Sequence, residues 1–136
     1  MSMQDNIEEF IASFNKVQES AHDNACIKGF WDNRRLLEAV AAAHSDLGLH
    51  SFAVNSTALA ALALVTSEIS EAAEAIRHGN KPDDKIPQFS GAEAELADAI
   101  IRIMDLAGGM GWNIAEAIAA KVSFNSTRPR LHGKQM

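Results

Sequence analysis

The absence of proline before Pro82 is the feature that most constrains the fold of this 136-residue chain. Proline interrupts helices because it lacks a backbone N–H group and its ring clashes with the preceding turn. Tyrosine is absent and aromatic residues make up only 6% of the sequence, whereas β-strands are enriched in aromatic and β-branched residues. These features together predict a chain of long helices.

Apolar residues recur at spacings of three and four, which places them on one face of a helix. The predicted helices cover residues 5–29, 33–48, 55 or 56–78, 90–108 and 113–129. Such helices with short connections favour an antiparallel arrangement. The sequence therefore predicts an all-α fold, an antiparallel bundle of four to five helices, in one domain spanning residues 1–136 with a loose basic tail from about residue 130.

Local signals set the boundaries of the last two helices. Ser90 followed by Glu93 is a capping-box pattern, and it predicts the start of the fourth helix. Asn113 followed by Glu116 is a similar pattern for the fifth helix. The pair Gly108–Gly109 predicts the end of the fourth helix, because glycine readily adopts the left-handed conformation that ends helices. The predicted core positions are Leu62, Val65, Ile69, Ala72 and Ile76 on the third helix and Leu96, Ile100, Ile103, Met104 and Ala107 on the fourth.

Charge and composition exclude several classes of protein. A formal net charge of -6 argues against binding of a nucleic-acid polymer, which requires a basic surface. A single cysteine, Cys26, excludes an intramolecular disulfide framework. The acidic N-terminus does not resemble a signal peptide, and the apolar stretch 51–67 is short for a membrane span. We therefore expect a cytoplasmic protein with no membrane partner.

Acidic residues repeat at spacings of three on two helices. Glu68, Glu71 and Glu74 do so on the third helix, and Glu95 and Asp98 on the fourth. If these helices pack antiparallel, four of the carboxylates converge, and each like-charge pair costs roughly 3 kcal/mol. Such a cluster must protonate, remain apart in water or bind cations. All-oxygen ligands indicate Mg²⁺, or alternatively Mn²⁺, while a solvated helix face explains the same spacing.

The last predicted helix carries a polar stripe of Lys121, Asn125 and Arg128, which continues the line of Ile114 and Ile118. A lysine, an amide and a guanidinium on one inward line suit phosphate oxygens. The alternative is that these cations complement the dipole at the carboxyl end of the helix.

Large aromatic residues offer stacking surfaces for a nucleobase. Trp31 is the candidate that we assign to substrate binding, with Phe30 and Trp112 as further possibilities. A large aromatic side chain near a helix end more often belongs to the core or to an interface.

Several segments resemble the MazG-like all-α nucleoside triphosphate pyrophosphohydrolases, particularly the small single-domain members of phages and bacteria. The resemblance lies in residues 68–75 (EISEAAEA), 95–98 (ELAD), Lys121, 125–129 (NSTRP) and 132–134 (HGK). These segments occur in the family's order and spacing.

The resemblance implies hydrolysis of a (deoxy)nucleoside triphosphate to the monophosphate and pyrophosphate, in the service of cleaning the nucleotide pool. It implies that the metal ligands are Glu68, Glu71, Glu95 and Asp98. It further implies that one of Glu68 and Glu71 activates water, with Glu74 in a supporting role. Lys121, Asn125 and Arg128 match positions that contact phosphate or sugar.

Family members are usually homodimers or homotetramers, so the resemblance also implies an oligomer. The segment 36–60 looks longer than in the small members and predicts an extra helix. The alternative function is a non-catalytic helical oligomer that binds nucleotides or another protein.

Overall fold

The computed structural model describes residues 3–129, which form five α-helices and one short 3₁₀-helix. The α-helices are α1 (Met3–Ile27), α2 (Asp32–Ala43), α3 (His50–Arg77), α4 (Gly91–Met110) and α5 (Ile114–Ser126), and the 3₁₀-helix is Ser45–Leu47. Within these residues no strand is formed, so the predicted all-α fold with four to five helices is confirmed. The predicted basic tail from residue 130 and the segment 132–134 lie outside the described residues.

An antiparallel hairpin of α3 and α4 forms the centre of the molecule. A Cβ atom on Gly91 would lie 3.2 Å from Ala75, and Arg102 pairs with Glu68, so the contacts run in opposite directions along the two helices. On this hairpin, α1 packs against α4, α2 against α3, and α5 against α1.

The loop between α3 and α4 is fixed by polar contacts at its two ends. The Gly91 N–H donates to the Lys81 carbonyl at 2.8 Å, and the Ala92 N–H donates to the Asn80 side chain at 2.9 Å. The predicted capping box is present, because Ser90 accepts from the Glu93 N–H and the Glu93 carboxylate accepts from the Ser90 N–H. The start of α4 was therefore predictable from the sequence.

The predicted end of α4 at Gly108–Gly109 is wrong, because the helix continues to Met110 and ends at Gly111 with a φ of 67°. A Cβ atom on Gly108 would lie 2.9 Å from the Cβ of His22, and one on Gly109 only 1.9 Å from the Trp31 ring. These two glycines therefore allow α4 to approach its neighbours closely.

Two further helix starts differ from prediction. Helix α3 begins at His50 rather than at Asn55 or Ser56, because no residue between Leu49 and Asn55 interrupts it. At α5, Asn113 occupies the N-cap position, but its side chain makes no capping hydrogen bond, so the second predicted capping box is absent. The segment 36–60, for which an extra helix was predicted, comprises most of α2, the 3₁₀-helix and the start of α3.

The buried core is built mainly of small side chains. Its members are Ala25, Ala41, Ala53, Ala58, Ala72, Ala92, Ala94, Ala99, Ala107 and Ala115, with Val65, Met104 and Leu106. Alanine lets helix backbones approach closely, so much of the larger apolar surface is left outside the core.

The predicted core stripes are therefore only partly correct. On α3, Val65 and Ala72 are buried, whereas Ile69 is 52% exposed and Ile76 61% exposed. On α4, Met104 and Ala107 are buried, and the exposed members of the predicted stripe are Leu96, Ile100 and Ile103. One apolar stripe of α3 consists of Leu62, Ile69 and Ile76. A second stripe lies four residues earlier and consists of Ala58, Val65 and Ala72. Only the second stripe is buried. The hairpin thus carries apolar side chains on a face that the described chain does not cover.

Helix α3 is also long and apolar enough to cross a membrane by length and composition alone. The stretch 51–67, predicted to be too short for a span, forms part of this 28-residue helix. The same property is found in core helices of soluble proteins.

Candidate functional site

Three carboxylates meet where the carboxyl-terminal third of α3 faces the first half of α4. Glu68 and Glu71 extend from α3, and Glu95 extends from α4. One oxygen from each lies within 4.8 Å of those of the other two. We call these three residues the acidic triad. Their convergence is a consequence of the three-residue spacing on α3, which places two carboxylates on one side of the helix.

The most buried member of the triad is already paired with a cation. Glu68 is 7% exposed, and its Oε1 accepts a hydrogen bond from the Nε of Arg102 at 2.5 Å. Arg102 lies two turns after Glu95 on α4, so the guanidinium approaches the triad from one side. This ion pair offsets one of the three negative charges.

The pKa of Glu95 reflects the electrostatic cost of bringing the carboxylates together. Burial raises the pKa of the Glu95 carboxyl above its usual value, and a hydrogen bond to Glu68 and the charges of Glu71, Glu68 and Asp98 raise it further. The ionised form that predominates near neutral pH is thus disfavoured in the folded protein. A divalent cation would reverse this balance, because it favours the ionised form of every carboxylate that faces it.

Asp98, the fourth predicted ligand, lies beside the acidic triad but is not a member of it. Its charge acts on Glu95, one turn earlier on α4. Its side chain is exposed and lines a neighbouring cavity. The structure therefore brings three of the four predicted ligands together and places the fourth at the margin.

A cavity of about 470 Å³ is lined by Asp98 and Arg102, which neighbour the acidic triad, and its walls come from α1, α2, α3 and α4; no member of the triad itself lines it. Asp98, Arg102 and Asp105 follow one side of α4 along this cavity. The opposite walls include Trp31 and the apolar Leu64. This volume is within the range of small-molecule sites, which are concave, mostly apolar and furnished with a few polar groups.

Trp31 and Asp105 lie together at one end of the cavity. Its Nε1–H donates to Asp105 Oδ1 at 2.7 Å, and the Arg34 guanidinium carbon lies 4.9 Å from the ring centroid. The His22 ring packs edge-on against the indole, and Gly109 contacts the ring edge. These neighbours hold the indole in place, so the structure shows Trp31 as a fixed part of the wall.

The polar stripe of α5 lies elsewhere. Lys121 and Asn125 line a shallow depression of about 250 Å³ together with Ile118, and none of them lines the larger cavity. The Lys121 Nζ and the Arg128 guanidinium carbon lie 5.7 Å and 5.9 Å from the Phe124 ring centroid. All three polar residues are exposed. The sequence predicts that this stripe points into the bundle, whereas in the described structure it faces outward.

Glu74 also lies apart from the acidic triad in its contacts. Its carboxylate pairs with Arg77 and lies 3.7 Å from His78, on the exposed end of α3. These contacts give it a local role at the carboxyl end of the helix.

Comparison with protein-family models, curated proteins and solved structures finds no match for this chain. The MazG-like resemblance therefore stays a prediction, which rests on the residues that carry it.

Three residues of the site were not identified as such from the sequence. Arg102 and Asp105 share the face of α4 that carries Asp98, because the residues are spaced by four and three. That spacing was a usable signal for both. His22 contacts Asp105 across 83 positions of sequence, and no local pattern indicates such a contact.

Proposed function

We propose that this chain is a magnesium-dependent nucleotide pyrophosphohydrolase that cleaves a (deoxy)nucleoside triphosphate to the monophosphate and pyrophosphate. The observation that carries the proposal is the convergence of the acidic triad, whose oxygens lie within 4.8 Å of one another, while its neighbours Asp98 and Arg102 line a cavity of about 470 Å³. A cation-binding cluster next to a pocket of small-molecule size suits a substrate that has a polyphosphate at one end and an organic group at the other.

The donor set fits Mg²⁺, with Mn²⁺ as the alternative. Glu68, Glu71 and Glu95 offer carboxylate oxygens only, and hard divalent cations prefer oxygen ligands. Asp98 would join them from the next turn of α4. When bound, the cation would offset the negative charge that develops on the phosphate oxygens during displacement.

The two glutamates of α3 differ in their freedom to accept a proton. Glu68 is buried and bonded to Arg102, whereas Glu71 is exposed and accepts only a weak bond from Ser67 at 3.3 Å. We therefore assign the base to Glu71. It takes a proton from the attacking water, whose oxygen bonds to the α-phosphorus, while the bond to the bridging oxygen breaks and pyrophosphate leaves.

An oligomer is the second part of the proposal. The chain exposes 9823 Å² of surface, whereas a compact monomer of this mass exposes about 6,900 Å². The excess of about 2,900 Å² per chain would amount to about 5,800 Å² over two copies, which is in the class of the largest obligate interfaces, those that bury about 5,000 Å² or more in total. A second copy packed on the face with Ile69 and Ile76 would cover apolar surface that the described chain leaves exposed.

The same oligomer would give the α5 stripe a role. Lys121 and Asn125 do not line the cavity of their own chain, so we assign them, with Arg128, to the phosphates held by a neighbouring copy. Cations that approach from outside the cavity would complement the negative charge of the triphosphate.

The direct test is a panel of nucleoside triphosphates assayed with Mg²⁺, with pyrophosphate and orthophosphate measured separately. We expect pyrophosphate as the first product, and we expect Glu71→Gln to abolish turnover without loss of helical content. Glu19→Gln, which removes a charge from an exposed position of α1, is the matched control and should retain activity. Orthophosphate as the first product, or full activity of Glu71→Gln, would contradict the assignment.

One observation favours the non-catalytic alternative. The Arg102–Glu68 ion pair satisfies the buried carboxylate without a metal. If the acidic triad serves only as a structural or docking surface, the thermal stability of the protein should not respond to Mg²⁺, and no triphosphate should be hydrolysed.

A further inference from the structure

The cavity beside the acidic triad has one end that the proposed reaction leaves without a role. Asp98 and Asp105, which line it, are seven residues apart on α4, a separation of about 10 Å along the helix axis. That span is comparable with the length of a nucleoside from its phosphate ester to the far edge of its base. If the phosphates bind near Asp98, the base reaches the end formed by Trp31 and Asp105.

Asp105 is held in one orientation by two donors. Trp31 Nε1 lies 2.7 Å from Asp105 Oδ1, and His22 Nδ1 lies 2.8 Å from the same oxygen. A carboxylate only accepts hydrogen bonds, so Nδ1 is the protonated nitrogen of His22. Among the described residues, every hydrogen bond of this side chain ends on Oδ1, which leaves Oδ2 without a hydrogen bond on a residue that lines the cavity.

A fixed carboxylate oxygen discriminates among nucleobases by its chemistry. It accepts N–H groups and repels carbonyl oxygens. Cytosine and adenine present an exocyclic amino group, and guanine presents adjacent N–H donors, whereas uracil and thymine present a single N–H between two carbonyl oxygens. The carboxylate therefore matches the amino-substituted bases.

We propose that this cavity binds the nucleobase of the substrate and that Asp105 Oδ2 selects amino-substituted bases over uracil and thymine. The inference rests on the proposed function for the identity of the ligand. In this arrangement Trp31 and His22 are positioning residues, since they act through Asp105.

The pair dCTP and dUTP tests the proposal most sharply, because the two differ only in the amino or carbonyl group at C4 and in the proton on the neighbouring N3. We expect kcat/KM to be at least about tenfold higher for dCTP, the discrimination that one hydrogen bond to a charged group supplies. Asp105→Asn is the key variant. Its amide oxygen can still accept from Trp31 and His22, while its NH₂ group replaces Oδ2 as a donor.

The ratio of kcat/KM values for dCTP and dUTP should fall by at least about tenfold in Asp105→Asn, because the new donor matches the carbonyl group of uracil. Asp46→Asn, an equal change at an exposed position of the 3₁₀-helix, should leave the ratio unchanged. A purely structural role of Asp105 would lower both rates together. An unchanged ratio in a folded Asp105→Asn protein that still hydrolyses triphosphates would overturn the selection proposal and leave the proposed function standing.

Binding of the monophosphates dCMP and dUMP, measured by calorimetry without metal, separates the two claims. If no triphosphate is hydrolysed, a preference for dCMP that is lost in Asp105→Asn would still support the base site. Equal affinity for the two monophosphates, or binding of neither, would overturn it.

Discussion

At the scale of single residues, the acidic triad carries more negative charge than the neighbouring basic side chains offset. Arg102 pairs with Glu68, but among the described residues Glu71 and Glu95 form no comparable ion pair. The raised pKa of Glu95 is the sign of this imbalance. Because like charges in a partly buried cluster are costly without a counter-ion, we propose that a divalent cation supplies the missing positive charge.

Removal of one charge should therefore stabilise the metal-free protein. The pKa of Glu95 is raised from 4.5 on folding, so stability is lost as the pH rises above that value and through the folded pKa. We expect Glu95→Gln to raise Tm at pH 7 in the presence of a chelator by about 3 °C. The same variant should lose the stabilisation that Mg²⁺ gives to the wild type.

Glu19→Gln is the charge-matched control for this measurement and should leave both quantities unchanged. A lower Tm for Glu95→Gln in chelator would contradict this prediction, because it would show that the Glu95 carboxylate stabilises the metal-free protein.

At the scale of elements, the capping box of α4 positions Glu95 by fixing where the helix starts. Ser90→Ala should lower the free energy of unfolding at pH 7 by about 1 kcal/mol, measured by urea denaturation. The Ser90 hydroxyl and backbone N–H lower the pKa of Glu93. The contribution of this pair is thus present above pH 4.5 and is lost as the pH falls through the lowered pKa.

Ser13→Ala, at an exposed position inside α1, should cause no loss of stability. A cost of Ser90→Ala that stays constant down to pH 2 would contradict the role given to Glu93.

Because Gly109 of α4 contacts the Trp31 ring, we expect a substitution at Gly109 to change stability in the direction opposite to helix propensity. Alanine is a better helix former than glycine by about 1 kcal/mol. Gly109→Ala should nevertheless destabilise the protein by about 1–3 kcal/mol in urea denaturation, since its Cβ would lie 1.9 Å from the indole. In a Trp31→Ala background the same substitution should no longer be destabilising. A stabilising effect of Gly109→Ala in the wild type would contradict the close contact.

The positions of the helices could be predicted from the sequence, whereas most of the contacts between the helices could not. Periodicity located all five helices, and the three-residue spacing of Glu68 and Glu71 predicted a shared acidic site. Gly108 and Gly109 were misassigned because the local pattern of a helix end is the same as that of a close helix contact. The bond between His22 and Asp105 joins residues 83 positions apart, and such contacts depend on how helices pack rather than on spacing.

At the scale of the whole molecule, the exposed apolar face predicts self-association. Sedimentation velocity should give a species of at least twice the 14.6 kDa chain mass. Charged substitutions at Ile69 and Ile76 should dissociate it, because both would be buried against the second copy. A monomer at micromolar concentration would contradict the proposed dimer.

The contribution of α5 to a neighbouring site is testable by complementation. Glu71→Gln and Lys121→Ala should each be inactive alone. Co-expressed copies should recover about one quarter of wild-type activity in a dimer, because half of the dimers are mixed and one of their two sites is intact. No recovery, with mixed dimers present, would place Lys121 and Glu71 in the same chain's site.

Calorimetric titration of Mg²⁺ and Mn²⁺ into the nucleotide-free protein tests whether α3 and α4 together hold a divalent cation, as we propose. We expect saturable binding to the wild type and to Glu19→Gln, and loss of that binding in Glu71→Gln and Glu95→Gln, one substitution from each helix. Binding that survives both substitutions, or no binding to the wild type by either cation, would contradict it.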